Sequence, residues 1–165
     1  MEATGFGVLG AAGIASLKYI YVLIESQWNI NHIAMTLTEE YVHAEFAHFE
    51  NANGPAFLEN VADNVSWTAK GSANPLRGHY TSKAEVAKNI FGRMIPKMAT
   101  PMRAKVTSVL ISGDWAIVEL KGEGTSKGGN SYDQELCWIC RYEKGKIVEA
   151  RVYLDSALVK AILEE

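Results

Sequence analysis

The chain has 165 residues, 48% hydrophobic and 21% charged, with a formal net charge of -3 at pH 7. That length fits one domain with a sizeable core, and the scattered basic residues offer no footprint for nucleic acid. Two cysteines are too few for a disulfide scaffold and point to a reducing, cytoplasmic setting.

The chain opens with GFGVLGAAGIA, residues 5–15, which contains G-x-G-x-x-G at Gly5, Gly7 and Gly10. A dinucleotide site built on these letters needs a strand before them, a helix after them and a second strand ending in an acid about 20 residues on. Glu25 stands at that distance, but SQWNINHIAM has no alternating run, and no further strand-helix-strand unit follows. Residues 6–24 are apolar apart from Lys18 and reach the minimum length of a spanning helix. Lys18 at mid-segment and the glycines argue against a membrane anchor, and the lack of a basic leader argues against a secretory signal. The reading adopted is an apolar appendage over 1–34 and a functional domain over 35–165, with membrane contact through 6–24 as the less favoured alternative.

From Thr36 the periodicities become regular. TLTEEYVHAEFAHFENAN reads as an amphipathic helix capped by Thr36 or Thr38, with Val42, Phe46 and Phe49 at helical spacing. GPAFLENVAD follows as a short helix with Pro55 near its start. NVSWTAK alternates Val65, Trp67 and Ala69 on one face of a short strand. GSANPLRGHY reads as a turn, and SKAEVAKNIFGRMIPKM as a third helix opened by Thr81 or Ser82 and ended before Pro101. Four strands then form a meander: MRAKVTSVLIS and DWAIVELKGEG joined at Gly113-Asp114, then SYDQELCWICRYE and KIVEARVYLDS joined around Gly145. DSALVKAILEE closes the chain as a helix, with Asp155 or Ser156 as N-cap. This order predicts an α+β domain with helices gathered on one face of a curved sheet.

The spacing of Cys137 and Cys140 looks like a redox or zinc half-site, yet residues three apart in a strand point to opposite faces, so core thiols are the better reading. His43 and His48 lie about 140° apart around the first helix and do not share a face, so no metal site is expected.

The stretches FLENVADNVSWTAKG, PLRGHYTSKAEV and YDQELCWICRYEKGKIVEARVYLDSALV, with the helix YVHAEFAHFE, occur in a familiar order. Over residues 36–165 the chain resembles the SnoaL-like, ketosteroid-isomerase-related branch of the nuclear transport factor 2-like superfamily. The resemblance implies a cone-shaped fold whose N-terminal helices pack on a curved antiparallel sheet and enclose one deep apolar pocket. It also implies isomerase, cyclase, dehydratase or epoxide hydrolase chemistry without a cofactor, a small hydrophobic molecule as ligand, and a homodimer formed through the sheet.

The ketosteroid isomerase base position at the end of the first strand is Ala69, and the epoxide hydrolase acid position on the last strand is Val152, so both borrowed mechanisms lack their acid. Asp155 remains, either as an acid at the cavity mouth or as the cap of the last helix. Glu50 is near the place where dehydratase relatives hold an acid, or is a solvated helix end. His79, in RGHY, is a candidate proton shuttle at the pocket rim, or a loop histidine bonded to backbone.

On the strand SYDQELCWICRY, Tyr132, Gln134, Leu136, Trp138 and Cys140 share the face that resembles the family's pocket. Tyr132 and Gln134 are placed to orient a carbonyl or stabilise an enolate, while Trp67, Trp138 and Tyr80 supply apolar walls or core packing. Two functions are therefore expected. The first is a cofactor-free isomerase, cyclase or dehydratase acting on a hydrophobic carbonyl compound such as a polyketide or terpenoid intermediate, with Asp155, His79 and Tyr132 in catalysis. The second is a binding or dimerisation module without turnover.

Overall fold

The computed structural model describes residues 36–165; the dinucleotide, membrane and appendage readings of the first 34 residues lie outside them. Within this unit six strands form one curved, unclosed sheet in the order β2-β1-β6-β5-β4-β3, and the helices pack against it.

Helix α1 (Glu39–Glu50) begins where the Thr38 side chain accepts a hydrogen bond from the Tyr41 N–H, so Thr38 and not Thr36 is the cap. Its buried stripe is Val42, Glu45, Phe46 and Phe49, the i, i+3, i+4, i+7 pattern of a helix laid on a core. Helix α2 (Gly54–Glu59) is shorter than its sequence suggested, because Val61 already starts β1 (Val61–Ala69). Val61, Val65, Trp67 and Ala69 are buried along β1.

The segment read as a plain turn contains β2 (Gly78–Tyr80), which pairs antiparallel with Trp67, Thr68 and Ala69. Three residues give too short an alternation to be visible in sequence. The third helix, α3, is capped by Ser82 and changes its winding: α-helical over Lys83–Val86, π-helical over Ala87–Phe91, α-helical over Gly92–Met94 and 3-10 over Ile95–Lys97. The wide π turn swings Phe91 inward, where it is buried.

Strands β3 (Arg103–Ser112), β4 (Trp115–Glu123), β5 (Gln134–Glu143) and β6 (Lys146–Tyr153) form the expected antiparallel meander. The β5–β6 hairpin turns on Lys144 and Gly145, both with positive φ (50° and 72°), as the tight hairpin turn that matches strand twist requires. A bulge in β3 between Val106 and Ser108 bends that strand.

One expectation needs correction. The sheet is not wholly antiparallel, because β1 runs parallel to β6, with Trp67 opposite Ala150 and Ala69 opposite Val152. The long connection through α3 and the meander makes this possible, since parallel neighbours need a crossover that no tight hairpin supplies.

The main core fills the space between α1, α2, α3 and the inner sheet face around Phe46, Phe57, Trp67 and Trp138. Helix α4 (Ser156–Leu163) closes a second cluster with Val159 and Ile162 against Leu76, Met94 and Tyr132. Asp155 is its N-cap: one carboxylate oxygen accepts from the N–H groups of Ala157 (2.9 Å) and Leu158 (3.0 Å).

Candidate functional site

The inner face of the sheet and the underside of α3 leave an apolar pocket. The cavity itself holds about 60 Å³, and the space reaches about 670 Å³ only when the open mouth is counted. Trp67 and Ala69 of β1, Leu136 and Trp138 of β5, and Val152 of β6 form its floor, and Ile90, Phe91 and Met94 of α3 form its roof. Period-2 alternation delivers the floor residues to one face of their strands. Val152 and Ala69 sit opposite each other across the parallel β1–β6 pair, so the two positions without acids are neighbours in the pocket wall.

Aromatic packing stiffens this wall. Trp67 and Trp138 meet edge to face with ring centroids 5.0 Å apart, and Phe46, Phe49 and Phe57 crowd Trp138 at 5.4–5.7 Å. Both indole N–H groups are buried without an acceptor. Tyr132, just before β5, supplies the one hydroxyl of the lining, and burial pushes its phenol up to about 12, against the opposing pull of the Gln134 amide. It is therefore a neutral hydrogen-bond donor at physiological pH, not a base.

Of the sequence candidates, Trp67, Trp138 and Tyr132 come together in this pocket. Gln134 is buried behind them, with its carbonyl accepting from the Asp155 N–H at 2.9 Å and its amide nitrogen without a partner. The Asp155 carboxylate is exposed, engaged in its cap, and absent from the pocket lining. His79 is exposed on β2, where its ring lies 3.0 Å from the Ser66 hydroxyl. Tyr80 packs on the core and donates to the Leu76 carbonyl at 2.7 Å. Glu50 braces α1 against β3 by accepting from the Val106 N–H, beside the bulge. None of these five, Gln134 included, lines the pocket.

Sequence reasoning missed Glu45. It is 3% exposed on α1, outside the pocket lining, with neither carboxyl oxygen in a well-formed hydrogen bond. Burial pushes its carboxyl up to about 7, although the nearby Tyr142 and Tyr41 hydroxyls and Lys146 favour its charged form. The signal was present, since Glu45 stands three residues after Val42 on the apolar stripe. Cys140 is wholly buried beside it, its thiol pushed up by that burial, while Cys137 is half-buried on the other face of β5. Among the described residues no three His, Cys, Asp or Glu side chains gather in a metal-binding group, and no helix is long and apolar enough to cross a membrane.

Helices over a curved mixed sheet, with an apolar pocket carrying a single hydroxyl between them, define a domain of the nuclear transport factor 2-like class. The family model for the SnoaL-like domain matches residues 42–150, and the chain belongs to that family. Its fold is similar to a nuclear transport factor 2-like protein from Burkholderia thailandensis at 24% identity and TM-score 0.65, covering 76% of this chain and 96% of that one. It is also similar to TerC co-crystallised with polyporic acid (19%, TM-score 0.63, 76% and 97% covered). A protein of ketosteroid isomerase-like fold from Catenulispora acidiphila, in complex with trimethylamine, matches at 18% and TM-score 0.61, with 78% and 95% covered. No curated protein sequence matches the chain significantly.

Proposed function

We propose that this domain binds an apolar small molecule bearing a hydrogen-bond acceptor, such as the carbonyl of a polyketide or terpenoid, in the pocket between α3 and the sheet. The observation that carries this reading is the lining itself: aromatic and aliphatic walls, one phenol, and no carboxylate or imidazole. A pocket of this kind supplies affinity through burial and orientation through its few polar groups.

A second reading has a specific observation in its favour. A neutral buried phenol is the donor that an enol-forming isomerase, cyclase or dehydratase of this family would aim at a substrate carbonyl, where it stabilises developing negative charge. The lining itself supplies no base for that step, because Asp155 and His79 are engaged elsewhere.

Titration of tryptophan fluorescence with 2-acetylnaphthalene tests the first reading. Saturable quenching is expected, weakened about tenfold by Ala104→Trp at the half-buried pocket edge and unchanged by Asp155→Ala or His79→Ala; absence of quenching would overturn it. Deuterium exchange at the ketone α-carbon, lost in Tyr132→Phe, would decide for catalysis.

A homodimer is also proposed, through the outer sheet face. Leu110 (63% exposed), Ile117 and Tyr153 lie open there, and Trp115 stacks under the Arg151 guanidinium at 4.9 Å. Native mass measurement of wild type and Leu110→Glu checks it, with a monomer expected only for the variant.

A further inference from the structure

The lining of the apolar pocket includes one charged side chain. Arg103 opens β3 at the exposed edge of the cavity, beside Ala104. One guanidinium nitrogen donates to the Glu50 carbonyl at 2.7 Å. That carbonyl ends α1, where the last helical carbonyls lack an intrahelical partner, so this contact holds the arginine at the mouth.

The guanidinium has no carboxylate within 4.0 Å among the described residues; the ion pairs there belong to other lysines and arginines. Glu50 spends its carboxylate on the Val106 N–H, and Glu123, opposite Arg103 in the β3–β4 register, makes no pair with it. An arginine has five donors in a fixed fork suited to a planar two-oxygen group. Here one nitrogen is engaged with protein, and the rest of the fork is left for another acceptor.

The remaining polar side-chain atoms of the wall point to the same ligand chemistry. They are the Tyr132 hydroxyl and, buried within the floor itself, the indole N–H groups of Trp67 and Trp138, which have no acceptor. Apart from that hydroxyl, no side chain of the lining offers an oxygen or nitrogen acceptor. A cationic ligand would meet an unpaired positive charge and no counter-ion, whereas an anionic ligand meets donors only.

We propose that the pocket selects an anion with an apolar body, an aromatic or alicyclic carboxylate, whose charged oxygens pair with Arg103 while its rings enter between α3 and the Trp67–Trp138 floor. This rests on the binding reading above and adds a substrate class to it. Arg103 is then a specificity residue, acting on the ligand at the mouth.

The test compares two probes of equal ring system, 2-naphthoate and 2-acetylnaphthalene, by tryptophan quenching on the full chain, its Arg103→Gln variant and its Arg103→Lys variant. Wild type is expected to bind the carboxylate about tenfold or more tighter than the ketone, the scale of a charge-assisted hydrogen bond. Arg103→Gln should remove that preference and leave the ketone within about twofold, which also shows that the variant is folded. Arg103→Lys should restore part of it, because an ammonium keeps the charge but loses the fork. Equal binding of the two probes by wild type, or an equal loss of both in Arg103→Gln, overturns the proposal while the pocket reading stands. Failure of both probes to bind overturns the pocket reading and this proposal with it.

Discussion

Two ends of the same interior treat polarity in opposite ways. Around Trp67, Trp138 and Tyr132 there is space and no titratable acid; around Glu45, Tyr41, Tyr142 and Cys140, none of which lines that pocket, there is a buried acid. Strand β5 runs through both, since Leu136, Trp138, Cys140 and Tyr142 are successive inward residues. Phe46, the neighbour of Glu45 on α1, packs edge to face on Trp138 at 5.6 Å and marks the divide. Acid–base catalysis needs a titratable group within reach of the ligand, and here the group with the most perturbed carboxyl lies on the closed side. The open side therefore offers shape and hydrogen-bond donors, and the closed side a buried charge problem that belongs to stability.

The strongest way to break this division is Trp138→Ala. Removing the ring on which Phe46, Phe49, Phe57 and Trp67 converge should cost about 3–5 kcal/mol of unfolding free energy, read from urea denaturation. The same change should enlarge the pocket toward the Glu45 end.

The pH dependence of stability comes next. Glu45 is an acid whose folded value, about 7, lies above its ordinary 4.5, so the fold favours the protonated form. Its contribution is complete below about pH 4.5 and is lost as pH rises through about 7, for a total of roughly 3 kcal/mol. The Tm of wild type should fall from pH 5 to 8, and Glu45→Gln should flatten the curve. Asp63 and Glu165, held low by Lys83 and by Ser126 respectively, act in the opposite sense and weaken the fold only at more acidic pH.

A smaller effect separates capping from chemistry at Asp155. Asp155→Ala should cost about 1 kcal/mol through the two lost N–H partners of α4 and leave ligand affinity unchanged. The smallest is His79→Ala, expected within about 0.5 kcal/mol on thermal unfolding, because its contact with Ser66 is exposed.

Much of the domain was legible. Alternation placed Trp67, Ala69, Leu136 and Trp138 on inner faces, the Lys144–Gly145 turn was marked by its glycine, and the cap of α4 was marked by Asp155. These signals are local, each spanning a few residues. The parallel β1–β6 pair, β2 and the π turn of α3 were not legible, since each depends on a partner distant in sequence or on winding that side-chain identity does not reveal.

The site divides along the same line. Residue order alone determined the SnoaL-like fold, the apolar character of the pocket face and the lack of an acid at Ala69 and Val152, because periodicity and identity are properties of the chain itself. Only the tertiary structure decided that Glu45 is buried away from the cavity, that Asp155 and His79 turn from it, and that Arg103 stands at its mouth. Direction and neighbourhood arise when helices close over a curved sheet, and no local pattern encodes which side chain then meets open space.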